Sequence, residues 1–427
     1  MLDARLIRHQ PEVVRRGLAD KGVEGDVDGL VALDEERRSL IARVEDLKRQ
    51  RNQASASVAA LKKAKEDAAE AIAASRMLVE RIKELDERLG VVEADIEQRL
   101  LLLPNLPDPE APRGHSASEN VVREVWGEPL EVSFEPKDHV ELGTSLGLFD
   151  LEAAGRMSGS GFALFTGVGA RLVRGLMNFM LDHHTTLNGY TEVWPPALVR
   201  RPTMTGTGQL PKFEEDLYRI DSDDLFLIPT AEVPVTNLHR ESILDEADLP
   251  LAYTAYTPCF RREAGAHGAD TRGLIRLHQF DKVELVRFCT PESSAEEHQK
   301  LLGHARGVLE RLGLHYRVVE LCTGDLSFAA QRCYDLELWA PASRRWLEVS
   351  SCSNFGDFQA RRADIRYRRT ADGKVAHVHT LNASGVAFPR LIVAILESYQ
   401  TDEGSVVVPE ALRPWLDGRS LISPVGD

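Results

Sequence analysis

Two runs in this chain put ionisable and aromatic residues where ordinary strands bury aliphatics. Cys259-Phe260-Arg261-Arg262-Glu263 is followed by Arg276-Leu277-His278-Gln279-Phe280-Asp281-Lys282-Val283-Glu284. In a strand, residues two or four apart share a face, so Arg261 with Glu263, and Phe280 with Glu284, are each expected on one side of a sheet. That face would carry an anion-binding guanidinium, two carboxylates and an aromatic plane. Between the runs, Ala264 to Gly273 holds three glycines and ends in Thr271-Arg272-Gly273. It reads as a long loop joining antiparallel strands and able to cover a ligand lying on the sheet. Taken singly, each Arg/Glu pair would be an ordinary cross-strand ion pair of small energetic weight.

Other segments give the runs a context. Gly189-Tyr190-Thr191-Glu192-Val193-Trp194-Pro195-Pro196, Thr205-Gly206-Thr207-Gly208-Gln209-Leu210-Pro211-Lys212-Phe213, Thr230-Ala231-Glu232-Val233-Pro234, Glu348-Val349-Ser350-Ser351-Cys352-Ser353-Asn354 and Leu381-Asn382-Ala383-Ser384-Gly385 leading to Arg390 occur in that order. Together with Phe260-Arg261-Arg262-Glu263 and the strand ending in Glu284, they resemble the class II aminoacyl-tRNA synthetases, specifically the seryl-tRNA synthetases of bacterial type. The first segment resembles motif 1, the dimer element; the Arg261 and Glu284 runs resemble motif 2; the last resembles motif 3. The resemblance covers nearly the full chain.

The resemblance implies ATP-dependent activation of L-serine to seryl-adenylate and transfer of the seryl group to tRNA(Ser), with tRNA(Sec) as a further acceptor. Arg261, Arg390 and Glu284 would be the catalytic set. For serine it implies Thr230, Ala231, Glu232, Glu284, Asn382 and Ser384. For ATP it implies Arg261, Arg262, Glu263, Phe280, Glu348, Val349, Ser350, Ser351 and Arg390, with Phe280 stacking on adenine, Glu263 receiving its amino group and Arg390 covering its other side. Glu348 and Ser351 would be oxygen ligands of a Mg2+ ion bridging the phosphates, a cation that prefers such donors. The chemistry is consistent: a guanidinium can make paired bonds to either a carboxylate or a phosphate. Departures from the family's usual residues occur at Ala269, at Met157-Ser158-Gly159-Ser160-Gly161-Phe162 and at Phe388-Pro389.

These residues need a sheet to hold them. Short strands are expected near 191–194, 254–261, 275–288, 316–321, 334–339 and 345–351, with helices over 169–188, 292–312 and 386–400. Runs of strands with few intervening helices predict an α+β body with an antiparallel sheet flanked by helices, and no glycine-rich turn of the Rossmann or P-loop kind is present. Ahead of it, positions alternate three and four apart with apolar or small residues at Leu30, Leu33, Leu40, Val44, Leu47, Ala54, Val58 and Leu61 and with Arg37 and Arg51 in the two remaining slots, and again at Leu78, Ile82, Leu85, Leu89, Val92 and Ile96. Two heptad seams separated by an Ala/Lys/Glu/Asp stretch predict an antiparallel helical hairpin over about 28–103. Leu101-Leu102-Leu103-Pro104-Asn105-Leu106-Pro107-Asp108-Pro109 ends it, because prolines stop a helix and extend the chain. The expected organisation is an N-terminal tRNA-binding domain over 1–104, a connector over 105–150 and a catalytic domain over 151–427.

The net charge of −15 argues against a polyanion partner only if charge is spread evenly. It is not: Lys48, Arg49, Arg51, Lys62, Lys63 and Lys65 fall in a stretch without an acid, and the distal hairpin is expected to be basic on both strands. A charge run on a helix is usually a solvated face; the resemblance implies that here it grips a tRNA backbone. At 427 residues, 43% hydrophobic and 28% charged, the chain can bury at least one large core. No run of 18 apolar residues and no apolar N-terminal core indicate a membrane span or secretion, so a cytoplasmic homodimer is expected. Five scattered cysteines lack zinc-site spacing and read as reduced, mostly buried thiols. Two other readings stay open on the sequence: an amino acid:carrier-protein ligase on the same catalytic body, and a coiled-coil interaction protein with an inactive synthetase-like domain.

Overall fold

The computed structural model describes residues 1–129, 133–263 and 272–424. The chain divides into two compact units, Met1–Pro104 and Asn105–Asp427.

In the first unit, α1 (Ala4–His9) and α2 (Pro11–Asp20) pack on α3 (Val27–Ala64), which runs back against α4 (Ala69–Leu102). Asp26 caps α3 by accepting from the Gly29 amide at 2.9 Å, and Lys65 ends it in the left-handed region at φ 60°. A helix of this length spans about 57 Å. The seam follows the expected heptads: Leu30, Leu40 and Val44 of α3 and Ile82, Leu85, Val92 and Ile96 of α4 are buried. Beyond Val44, the α3 seam residues Leu47, Ala54, Val58 and Leu61 are only half-buried, so the base of the hairpin is its packed part. The charge expectation needs correcting. Lys48 to Lys65 lie on α3 and the turn, whereas the outer part of α4 carries Glu70, Glu80 and Glu84 beside Arg76, Arg81 and Lys83; the basic character belongs to one helix.

The second unit is built on an eight-stranded sheet: β1 (Val121–Trp126), β2 (Thr191–Glu192), β3 (Leu251–Phe260), β4 (Gln279–Cys289), β5 (Tyr316–Glu320), β6 (Arg332–Ala340), β7 (Arg345–Asn354) and β8 (His379–Ala387). Their order is β1-β5-β6-β7-β8-β4-β3-β2, antiparallel except for the β2–β3 edge pair. Residues 105–150 supply the edge strand β1, so the segment expected as a connector is partly built into this sheet. β8 was not among the expected strands, although it lies in the middle.

Side chains of β4 show how the sheet divides its faces. Val283 and Leu285 join the main core with Leu301, Val308 and Leu309 of helix Ser294–Arg311 and Leu391 to Leu396 of helix Phe388–Ser398. Val286 and Phe288 point to the opposite face, where they pack with Ala231, Val235, Ala360 and Ala363. Phe280, Lys282 and Glu284 share that second face by parity. Burying a Leu or Val fully stabilises the fold by about 1.5–3 kcal/mol, so the helix-covered face makes a rigid floor for the polar one.

Candidate active site

A cavity of about 780 Å3 opens on the polar face. Strand ends and a bulge shape it. β3 stops at Phe260, so Arg261 and Glu263 lie beyond the strand; Glu263 sits in the left-handed region at φ 52°. The expectation that these two share a strand face is therefore wrong in its geometry, yet both line the cavity. The covering loop expected at Ala264–Gly273 lies, up to Thr271, outside the described residues, as do His267 and Ala269. In β7 the register shifts between the Leu336–Ser350 and Glu337–Glu348 pairs, leaving Val349 extra. An extra residue re-aims its neighbours, and so Glu348 and Ser351, an odd number apart, both reach the cavity.

One group of lining residues is cationic and aromatic. The Arg261 guanidinium lies 5.2 Å from the Phe280 ring centre, and its Nε donates to the Pro229 carbonyl at 3.4 Å. Arg390 donates to the carbonyls of Glu348 at 2.7 Å and Ile275 at 3.1 Å, with the Glu348 carboxylate 3.6 Å away. Arg276 holds the Glu263 carboxylate.

A second group is a buried polar cluster. Asn382 Nδ2 donates at 2.9 Å to Glu232 Oε2 and at 2.9 Å to Glu284 Oε1. Lys282 Nζ lies 2.5 Å from Glu284 Oε2 and 2.9 Å from Thr230 Oγ1, and Thr230 donates to Glu284 at 3.2 Å. Gln359 Nε2 donates to Glu232 Oε1 at 2.6 Å. Ser384 stands opposite Glu284 in the β4–β8 pairing. Thr230, Glu232, Lys282, Asn382 and Ser384 line the cavity, while Glu284 lies fully buried beneath them.

Besides Glu284, three expected residues line no part of it. Ala231 packs in the apolar cluster with Val235 and Val286, Ser350 is buried and donates to the Ser384 carbonyl at 2.6 Å, and Arg262 reaches outward to the Glu215 carbonyl at 3.1 Å. Their side chains shape or border the site instead of facing it. Conversely, Lys282 and Gln359 were not among the expected site residues. Lys282 had a signal, since it shares parity with Phe280 and Glu284; Gln359 sits on the short helix Phe358–Ala363 with nothing in its spacing to mark it. Met157, Ser158, Phe162, Phe388 and Pro389, from two segments that depart from the family's usual residues, meet in a separate cavity of about 130 Å3 behind Phe280.

Burial, with the Glu284 charge second, pushes the Glu232 carboxyl up to about 7, against the opposing Gln359 hydrogen bond. Two carboxylates sharing a desolvated site cannot both ionise freely. In the unfolded chain Glu232 titrates near 4.5, so its folded proton is retained longer, and the stability it contributes at low pH is lost as pH rises from that value through 7. Glu232→Gln should therefore reduce the change in unfolding free energy between pH 5 and pH 8 by about 3 kcal/mol. Urea unfolding of native and variant protein at both pH values checks it; equal pH dependence would refute the assignment.

Comparison with known proteins agrees along the whole chain. The tRNA synthetase class II core domain (G, H, P, S and T) family matches residues 212–399, and the seryl-tRNA synthetase N-terminal domain family matches residues 1–107. The serine--tRNA ligase of Nitratidesulfovibrio vulgaris (strain DSM 19637 / Miyazaki F) is 53% identical over 423 residues, covering 99% of this chain and 100% of the relative. That of Geobacillus kaustophilus (strain HTA426) is 54% identical over the same span. The chain belongs to the seryl-tRNA synthetase family. Among solved structures, the seryl-tRNA synthetase from Pyrococcus horikoshii complexed with ATP superposes with a TM-score of 0.93 at 38% identity, covering 100% of both chains. For a seryl-tRNA synthetase family member the helical hairpin is part of the matched length, which sets aside the carrier-protein ligase reading.

Of the basic residues expected to grip tRNA, Lys48, Arg49, Lys62, Lys63 and Lys65 are exposed and Arg51 is half-buried at the seam. Lys48 pairs with Asp86 at 3.4 Å, and Arg49 with Asp46. All five cysteines are free and buried. Among the described residues, no helix is long and apolar enough to cross a membrane.

Proposed function

We propose that this chain activates L-serine with ATP to form seryl-adenylate and transfers the seryl group to tRNA(Ser), acting as a cytoplasmic homodimer. The observation that carries this reading is the meeting, in one cavity, of the Glu232/Asn382/Glu284 cluster with Arg261, Phe280 and Arg390. Serine-dependent exchange of pyrophosphate into ATP, measured with and without tRNA, tests it; a purified protein without exchange would refute it.

Serine brings an ammonium and a hydroxyl, both donors. Carboxylates and a hydroxyl supply acceptors for each, so Thr230, Glu232, Glu284 and Ser384 form its pocket, with Ala231 and Asn382 completing it. Arg261 spans the serine carboxylate and the α-phosphate and holds them for in-line attack, where positioning and charge stabilisation supply most of the catalysis. Adenine lies on Phe280, with Glu263 at its amino group and Arg390 across its other face and near the phosphates. Arg262, Val349 and Ser350 border the nucleotide. The carboxylate of Glu348 and the hydroxyl of Ser351 fit the oxygen preference of Mg2+. Among the described residues no three His, Cys, Asp or Glu side chains gather as a metal site, so Glu348 and Ser351 would hold the ion together with oxygens from substrate or water. A bound Mg2+ supplies charge neutralisation at those phosphates. The exposed basic side chains Lys48, Arg49, Lys62, Lys63 and Lys65, with Arg51, contact the tRNA backbone. The dimer forms through the Gly189–Pro196 segment, where Trp194 is 71% exposed.

Alanine leaves the buried acceptors unpaired, which costs binding on the order of 10⁴-fold. Ser384→Ala should raise the serine KM about tenfold and the ATP KM less, and Glu284→Ala should lose serine discrimination along with activity. Steady-state exchange kinetics with serine, alanine and threonine decide this; equal rises in both KM values would remove Ser384 from the serine site. Threonine is the informative competitor because it keeps the hydroxyl and only adds a methyl.

A further inference from the structure

The buried cluster contains two carboxylates and one ammonium, and the serine pocket proposed above must admit a second ammonium. Lys282 is spoken for: its Nζ contacts Glu284 Oε2 at 2.5 Å and Thr230 Oγ1 at 2.9 Å, and it is buried. Glu284 already carries one cation and three donors, its Oε1 taking the Asn382 amide and its Oε2 taking Lys282 and Thr230, which leaves one lone pair on Oε1 for a hydroxyl. Glu232 has no cation within ion-pair distance among the described residues; its oxygens accept only from the neutral amides of Asn382 and Gln359. Asn382 Oδ1, also buried, accepts from no described group. Glu232 is thus the carboxylate without a cation of its own, and it and this oxygen are the acceptors best placed to take an incoming ammonium.

We propose that Lys282 is a positioning residue that holds Glu284 as the fixed anion of the pocket, so that the substrate ammonium is neutralised by Glu232, which releases a proton to solvent as substrate binds. The balance is simple. Glu232 goes from carboxylic acid to carboxylate, the proton leaves to buffer, and the ammonium keeps all its protons while the substrate carboxylate pairs with Arg261. The charged groups facing Glu232 are Glu284 and Lys282 from β4 and Arg261 beyond β3, with the neutral Gln359 and Asn382 on the remaining sides. The raised affinity of Glu232 for its proton, to about 7, places this exchange in the neutral range. The inference rests on the seryl reading of the site.

The test is calorimetric titration of L-serine into the full-length protein in two buffers of different ionisation enthalpy, both buffering at the pH of the measurement. About half a proton should be released per serine at pH 7, close to one at pH 5.5 and nearly none at pH 8.5, with the serine Kd weakening about tenfold per pH unit below pH 6. Glu232→Gln should abolish the release. Lys282→Met removes a cation that helps Glu232 ionise, so the pH profile of kcat/KM for serine should move to more alkaline values. A merely structural role would lower that parameter equally at every pH and overturn the Lys282 assignment. Binding enthalpies identical in the two buffers from pH 5.5 to 8.5 would overturn the proton release. Absence of serine-dependent exchange would instead refute the underlying functional reading, so the two failures are distinguishable.

Discussion

Arg261→Ala should abolish adenylate formation while leaving the fold intact. The fold is insulated because Arg261 has few structural obligations: one long hydrogen bond to the Pro229 carbonyl at 3.4 Å and a face on the Phe280 ring. No carboxylate depends on it among the ion pairs of the described residues, so truncation strands no buried charge. Catalysis is not insulated. A donor aimed at developing charge contributes about 10²–10³ in rate, and in the proposed reading Arg261 serves both the attacking carboxylate and the α-phosphate, so a loss beyond about 10³-fold is expected. Serine-dependent pyrophosphate exchange measures it, with circular dichroism confirming the fold. Arg261→Lys should rescue poorly, because an ammonium cannot make the paired bonds of a guanidinium. Near-native exchange by the alanine variant would remove Arg261 from the reaction centre.

Much of this site could be read in advance, and the residues that could not share physical reasons. Heptad seams and the Phe280-Lys282-Glu284 parity were legible because each element repeats a period its backbone enforces. β8 was missed because both of its faces are buried: Thr380, Asn382 and Ser384 face the polar cavity side while Leu381 and Ala383 enter the core, so polar and small residues interrupt any apolar run. Glu348 and Ser351 could be paired only through resemblance, since three-residue spacing on a strand means opposite faces unless a bulge intervenes, and the Val349 bulge is a register event between two strands. Gln359 acts through the Glu232 carboxylate, 127 residues away in sequence. Local pattern holds no record of such partners.

Deleting residues 45–85 and closing the hairpin with a short turn should leave serine activation nearly unchanged and collapse transfer to tRNA. The remaining base keeps Leu30, Leu40 and Val44 of α3 with Val92 and Ile96 of α4, most of the buried part of the seam, and retains α1 and α2 packed on α3. What is lost is the half-buried outer seam of α3, the buried Ile82 and Leu85 of α4 and the basic stretch, so most of the packed base is kept while the proposed tRNA contacts go. The cavity residues all belong to the other unit, Asn105–Asp427, so the exchange reaction is expected to survive the deletion. Neutralising Lys48, Arg49, Lys62, Lys63 and Lys65 together should weaken tRNA binding and flatten its salt dependence, by roughly one unit of log–log slope per lost phosphate contact. Single substitutions should matter little, since each exposed cation contributes a small, screened share. Filter binding across a salt series, beside aminoacylation and exchange rates of the truncated protein, separates the outcomes. If the truncated protein charges tRNA at the full-length rate, the hairpin is a scaffold or a partner-binding element, and the lysines of α3 are a solvated face.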